Sequence, residues 1–168
     1  MTKMDSGNAL EVLTFSLNGQ AFALEASYVR EILDLVPVTE VPAANAFARG
    51  LINVRGKIVP LADLRYKLGM EERPPTIDTR IVVIEVELDG DLTTIGLIAE
   101  KVHEVTNLSS VDMEETPKIG MVWRHEYVRG ICKRDGDFVI VLDIVALIAS
   151  SLHKGAELNL RASERHAA

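Results

Sequence analysis

Residues 50–65 read GLINVRGKIVPLADLR, and eighty positions later residues 130–144 read GICKRDGDFVIVLDI. At that one offset Gly50 meets Gly130, Gly56 meets Gly136, Val59 meets Val139 and Asp63 meets Asp143. Leu51/Ile131, Ile58/Phe138, Leu61/Val141 and Leu64/Ile144 are like-for-like apolar pairs. A duplication of this kind means that the chain builds one supersecondary unit twice. Within each copy, alternating apolar and polar residues broken by Arg55-Gly56 or Asp135-Gly136 predict a strand, a tight turn and a second strand. The aspartate before an apolar helical run, Asp63 or Asp143, suits a helix N-cap. Asn53 and Arg55 are polar side chains on a largely apolar ribbon, where each needs a hydrogen-bond partner within the chain or on another molecule.

The duplication extends upstream. Asn18-Gly19 joins LTFSL to QAFALE, and Asp89-Gly90 joins VVIEVEL to LTTIGLIA, so a hairpin precedes each central unit. Ile81 to Ile84 is continuously apolar, as expected of a strand covered on both faces, with the first copy as the candidate cover. After Ser27, Val29, Ile32 and Leu33 fall at helical spacing and predict one or two helical turns ending before Pro37. Pro37 and Pro42 bracket VTEV, which fits an edge strand, and Asn45 suits the cap of a single turn through Arg49. Leu64 to Leu68 reads as a short helix stopped by Gly69, and Ile144 to Leu152 as a closing apolar helix. Glu71 to Asp78, with Pro74-Pro75, is the best internal boundary. The expected organisation is a polar tail over 1–8, one domain over 9–152 with lobes at about 9–72 and 76–152 that can exchange strands, and a polar tail over 153–168.

A chain of 168 residues with a net charge of −7 and no basic cluster points away from nucleic-acid phosphate and anionic lipid as partners. No apolar run approaches the length of a membrane span and no secretory leader is present, so a cytoplasmic setting without membrane insertion is expected. The single Cys132 cannot form an internal disulfide and sits in a strand pattern that suits a buried thiol. No phosphate-binding glycine loop is present, and the spaced glycines fall on hairpins. His103, His125, His153 and His166 are scattered away from metal-ligand spacing. Ser109-Ser110 lacks a nucleophile elbow, while Glu71-Glu72 and Glu114-Glu115 read as solvated connector charges. The expectation is therefore no catalytic residue, no metal and no cofactor.

FALEASYVREI, GLINVRGKIVPLADLR, GLIAEKVHEV and EYVRGI together resemble the CheW family of chemotaxis coupling proteins, over roughly Glu11 to Leu152. The resemblance implies a mainly β fold of two pseudo-repeated five-stranded, SH3-like or OB-like β-barrel lobes with short helices, packed about a shared apolar seam. It implies a non-catalytic adaptor that joins the cytoplasmic tips of methyl-accepting chemoreceptors to the regulatory domain of a CheA-type histidine kinase in membrane-associated arrays. By the same resemblance a receptor groove between the lobes uses Val29, Glu31, Gly50, Arg55 and Val105, and Ile58 and Val59 are kinase-binding candidates on the first lobe. Read from the residues alone, Val29 and Val105 are equally well explained as core, and Glu31 with Arg55 as a weak surface pair. The stretch from Met121 to His125 departs from the family pattern. No receiver-like segment, phosphotransfer helix or ATP-binding domain accompanies the core, which argues against a receiver fusion and against the kinase itself, although a lone kinase regulatory domain would look very similar; the free protein is expected to be a monomer. The competing readings are a scaffold of the same fold in a pathway unrelated to motility, and a small-molecule-binding barrel or enzyme using Trp123, Arg124 and His125.

Overall fold

The structure, a computed structural model, describes residues 9–41, 47–115 and 125–151. The two tails, the Asn45 cap and Trp123 lie outside the described residues.

Four two-residue turns organise the chain. Asn18-Gly19, Arg55-Gly56, Asp89-Gly90 and Asp135-Gly136 each combine φ of 51–53° with φ of 75–85°. Two successive positive φ angles make the turn whose twist matches that of antiparallel strands. The hairpins they close are β1 (Ala9–Leu17) with β2 (Gln20–Glu25), β4 (Ala48–Val54) with β5 (Lys57–Ala62), β6 (Arg80–Leu88) with β7 (Asp91–Ala99), and β10 (Val128–Arg134) with β11 (Asp137–Leu142). Among the described residues three further strands are present, β3 (Val29–Asp34), β8 (Lys101–Ser109) and β9 (Met113–Glu114).

The strands form two sheets, ordered β8-β1-β2-β11-β10-β9 and β3-β6-β7-β5-β4. Each sheet is assembled from both sequence repeats. The first repeat's opening hairpin, β1–β2, joins the second repeat's central hairpin through a parallel pairing of β2 with β11, Ala21 opposite Val139. In return β6–β7 joins β3, β4 and β5, with Leu61 opposite Gly96. The mainly β architecture in two lobes follows the sequence reading; the sixth strand of the larger sheet is the two-residue β9.

Strand alternation explains the core. Leu13, Phe15 and Leu17 of β1, Val82, Ile84 and Val86 of β6, and Leu142, Ile144 and Leu147 of the second repeat meet in one apolar cluster shared by the two sheets. On their opposite faces, Val12 joins Ala23, Leu108, Cys132, Val139 and Val141 inside the first sheet, while Ile81 and Val83 join Ile52, Val54, Val59 and Leu61 inside the second. That is why Ile81 to Ile84 carries no polar residue: each of the four is at most 3% exposed, with first-repeat residues covering Ile81 and Val83 and residues of both repeats covering Val82 and Ile84. Burial pushes the Cys132 thiol up, with Asp112 adding to the shift and Arg134 opposing it.

The helix expected from Ser27 onward is corrected. Ser27 Oγ bonds Glu25 Oε2 instead of capping a helix, only Ala26–Tyr28 forms a 3-10 turn, and Val29–Asp34 pairs with β6. A register shift between Val29 and Glu31 and a free strand edge on β6 outweigh a helical spacing carried by only three residues. The edge strand expected at VTEV reduces to one bridge, Thr39 to Leu51, with backbone bonds of 2.8 Å in both directions. Ala48 and Arg49 belong to β4 and not to the turn expected there.

Both aspartate caps form. Asp63 opens α1 (Leu64–Lys67), its side chain accepting from the Arg65 N–H at 3.0 Å, and Asp143 accepts from the Ala146 N–H at 3.0 Å at the start of α2, a helix described over 144–151. Their backbones match as well, Asp63 N–H donating to Phe47 O and Asp143 N–H to Tyr127 O, each at 2.8 Å. The copies diverge at the next position. Arg65 closes a bidentate pair on Asp63, Nε to Oδ1 and Nη2 to Oδ2 both at 2.9 Å, with both residues buried; the second copy has Val145 there. Hydrogen bonding to Asp63 holds the Arg65 guanidinium above its ordinary pKa. Asp63→Ala is therefore expected to cost about 3–5 kcal/mol by stranding a buried cation. Asp143→Ala loses only a cap, about 1 kcal/mol. Urea unfolding of the two variants checks the difference.

Candidate functional site

The β4–β5 hairpin projects the most unusual side chain of the fold. At the first position of the four turns stand Asn18, Arg55, Asp89 and Asp135. Asn and Asp tolerate positive φ because their short polar side chains bond the local backbone, whereas a long side chain gains nothing from that conformation. Arg55 nevertheless adopts φ 53°. Asn53 supports the turn, its Oδ1 accepting from the Gly56 N–H at 2.8 Å. The polar requirement of Asn53 is thus met within the hairpin.

Arg55 is 81% exposed, with Nε 3.6 Å from Glu31 Oε2 on β3. A pair so open to solvent contributes little to stability, about 0–1 kcal/mol. Glu31 and Leu33 lie on the face of β3 that meets Val83 and Ile81 in the second sheet's own core, whereas the register shift leaves Val29 beside Ile84 on the shared-core face. Its second oxygen, Oε1, is buried without a hydrogen-bond partner, an acceptor that a docking donor could satisfy. The hairpin and β3 edge therefore present a cation and an under-satisfied carboxylate side by side.

The other candidates divide by burial. Val29 is half-buried against the shared core, whereas Val105, on the edge strand β8 of the other sheet, is 57% exposed. Gly50 is buried beneath the residue 38–39 segment: a Cβ there would stand 2.4 Å from Thr39 O and 2.9 Å from Val38 Cγ1. Its part is a close backbone approach. Ile58 is 75% exposed and paired with Asn53 on the outer face of the β4–β5 ribbon, while Val59 points into the core of its own sheet. Among the two kinase-side candidates only Ile58 offers contact area. Phe138, its counterpart in the second copy, is also exposed.

A cleft of about 350 Å³ lies between Leu35–Val38, Arg49, Arg65 and Arg73. Its cations are matched by acids: Arg49 bonds Asp63 and Glu72, Arg65 bonds Asp63, and Arg73 approaches Glu100 at 4.0 Å. Such a balanced cluster has little reason to attract a free anion. Among the described residues no group of three or more His, Cys, Asp and Glu gathers as metal ligands, and no helix is long and apolar enough to cross a membrane.

Two lobes with exchanged hairpins, a basic tip and separate exposed apolar positions define a β protein built to present faces to other proteins. Residues 11–152 match the model of the CheW-like domain, and the chain belongs to that family. It is 28% identical over 146 residues to chemotaxis protein CheW of Rhizobium meliloti (strain 1021), covering 87% of this chain and 92% of the relative. It is 26% identical over 149 residues to chemotaxis protein CheW of Treponema pallidum (strain Nichols), covering 88% of each. The crystal structure of the scaffolding protein TtCheW from Thermoanaerobacter tengcongensis superposes with a TM-score of 0.73 at 31% identity, over 82% of this chain and 86% of that one.

The sequence reading did not anticipate the residues that hold the hairpin tip's neighbours together. Phe47 and Tyr127 share the eighty-residue offset and flank one cation, Lys67 Nζ lying 6.0 Å and 5.6 Å from their ring centroids. Extending the repeat three residues upstream of Gly50 would have found them. Glu100 carried no sequence signal at all.

Gly50→Ala is expected to push the Thr39 carbonyl away and break the Thr39–Leu51 bridge, at a cost of about 1–3 kcal/mol. Hydrogen exchange at the Thr39 and Leu51 amides should lose protection while that at Val82 is retained.

Proposed function

We propose that this chain is a non-catalytic chemotaxis adaptor, coupling the cytoplasmic tips of methyl-accepting chemoreceptors to the regulatory domain of a CheA-type histidine kinase. It works in the cytoplasm, is recruited to membrane-associated receptor arrays, and is a monomer when free. The observation that carries the reading is Arg55, held at positive φ and exposed beside Glu31 in a chain of the CheW-like family. A residue kept in a sparsely populated conformation without local benefit points to a role in recognition. The receptor helix lies against Val29 and Val105, with Arg55 and Glu31 meeting its polar groups and Gly50 allowing the backbone to close beneath them. Ile58 contacts the kinase, and Val59 fixes the hairpin that presents it.

This division of labour gives separable variants. Arg55→Asn suits the turn better and is expected to leave stability unchanged or raise it by up to about 1 kcal/mol. It should weaken capture of a receptor cytoplasmic fragment about tenfold, equivalent to about 1.4 kcal/mol. Ile58→Asp should lower kinase capture and spare the receptor. A wild-type protein that captures neither fragment contradicts the coupling role, and equal loss of both partners in either variant contradicts the assignment of faces.

A further inference from the structure

Glu100 stands at the crossing between the two sheets, after the last residue of β7 and before the first of β8. Its backbone N–H donates to Ser16 O of β1 at 3.1 Å. Its Oε2 accepts from the Asn18 N–H, at the tip of the β1–β2 turn, at 2.8 Å. The same oxygen lies 3.7 Å from Arg65 Nη1 on α1, and Oε1 lies 4.0 Å from Arg73 Nη1 on the connector. Arg65 also donates to the Arg73 carbonyl at 3.1 Å and is clamped by Asp63. One carboxylate thus touches a turn of the first sheet and the cationic side chain packed beneath the second.

The arrangement is one-sided. Glu25, the last residue of β2, bonds Arg129 of its own sheet. The counterpart of Arg65 is Val145, which cannot accept or donate a charged bond. Apolar packing resists separation of the two sheets but is non-directional, so it fixes their mutual orientation less sharply than a charged hydrogen-bonded group does.

We propose that Glu100 is an inter-lobe pin, a positioning residue that sets the angle between the two sheets by holding the Asn18 turn against the Arg65 and Arg73 guanidinium groups. Side chains 81% and 19% exposed mark the contrast with the Arg55–Glu31 side: Arg55 is open to solvent, while Glu100 is largely enclosed. The pin is a property of the free protein. Its consequence, that receptor contact at Val105 on one sheet is felt at Ile58 on the other, rests on the coupling role.

The test places spin labels on the two sheets at exposed strand positions, Glu87→Cys and Lys133→Cys, in a Cys132→Ser background. The inter-label distance is measured by pulsed electron resonance. The labelled parent should give one narrow distribution, and Glu100→Ala and Glu100→Gln should each broaden it about twofold, as for lobes released to move. Ile81→Val, which loosens the core of one sheet without touching Glu100, should lower the melting temperature and leave the width unchanged. Should Glu100→Ala fail to fold, Glu100→Gln, which keeps an acceptor for the Asn18 N–H, decides by the same criterion. Parental width in the folded Glu100 variants, or equal broadening in Ile81→Val, overturns the pin. Broadening with receptor and kinase capture intact supports the pin while removing its link to coupling.

Discussion

The apolar cluster between the two sheets is the contact on which the rest depends. Its main contributors, Leu13, Phe15 and Leu17 on one side and Val82, Ile84 and Val86 on the other, come from the opening hairpins of the two sequence repeats. Each of those hairpins is hydrogen-bonded into a sheet dominated by the other repeat. Removing either strand would therefore open the shared cluster and one sheet's own core together, since β1 and β6 are buried on both faces. Coupling of this kind joins two small lobes, each too small to hold a large core, into one cooperative body.

Function follows from what that body leaves at its surface. The turn chemistry of four hairpins is nearly interchangeable, and three of them use Asn or Asp. Only at Arg55 is the turn optimum set aside, and there the side chain reaches solvent beside a carboxylate with a buried, unpartnered oxygen. Stability cannot explain the choice, because an exposed pair of this kind contributes little. Exposed apolar positions on separate strands, Ile58 and Val105, add faces that a scaffold can offer to different partners at once.

Much of the fold was legible in the sequence because its signals are local and repeated. The X-Gly pairs fix two-residue turns, and the uninterrupted Ile81 to Ile84 run reports cover on both faces. Asp63 and Asp143 announce helix starts. What failed was β3, where three apolar residues at helical spacing were outweighed by a pairing partner fifty residues away. The site was legible in part. The Arg55 tip and the outward Ile58 follow from the hairpin's alternation, which also places Val59 inward. Gly50 could not be resolved as a point of close approach, since the segment that covers it is joined to β4 by one bridge only. Glu100 was invisible because its three side-chain contacts, to Asn18, Arg65 and Arg73, are set by strand exchange and have no sequence period.

Reciprocal exchange makes one prediction that separate lobes would not. Native-state hydrogen exchange in rising denaturant, followed at buried amides of β2 in one sheet and β6 in the other, measures whether the sheets open together. A shared core gives a single opening free energy, with Leu24 and Val82 merging into the global unfolding transition at the same denaturant concentration. Two separate isotherms, with one sheet exchanging while the other stays protected, would contradict it.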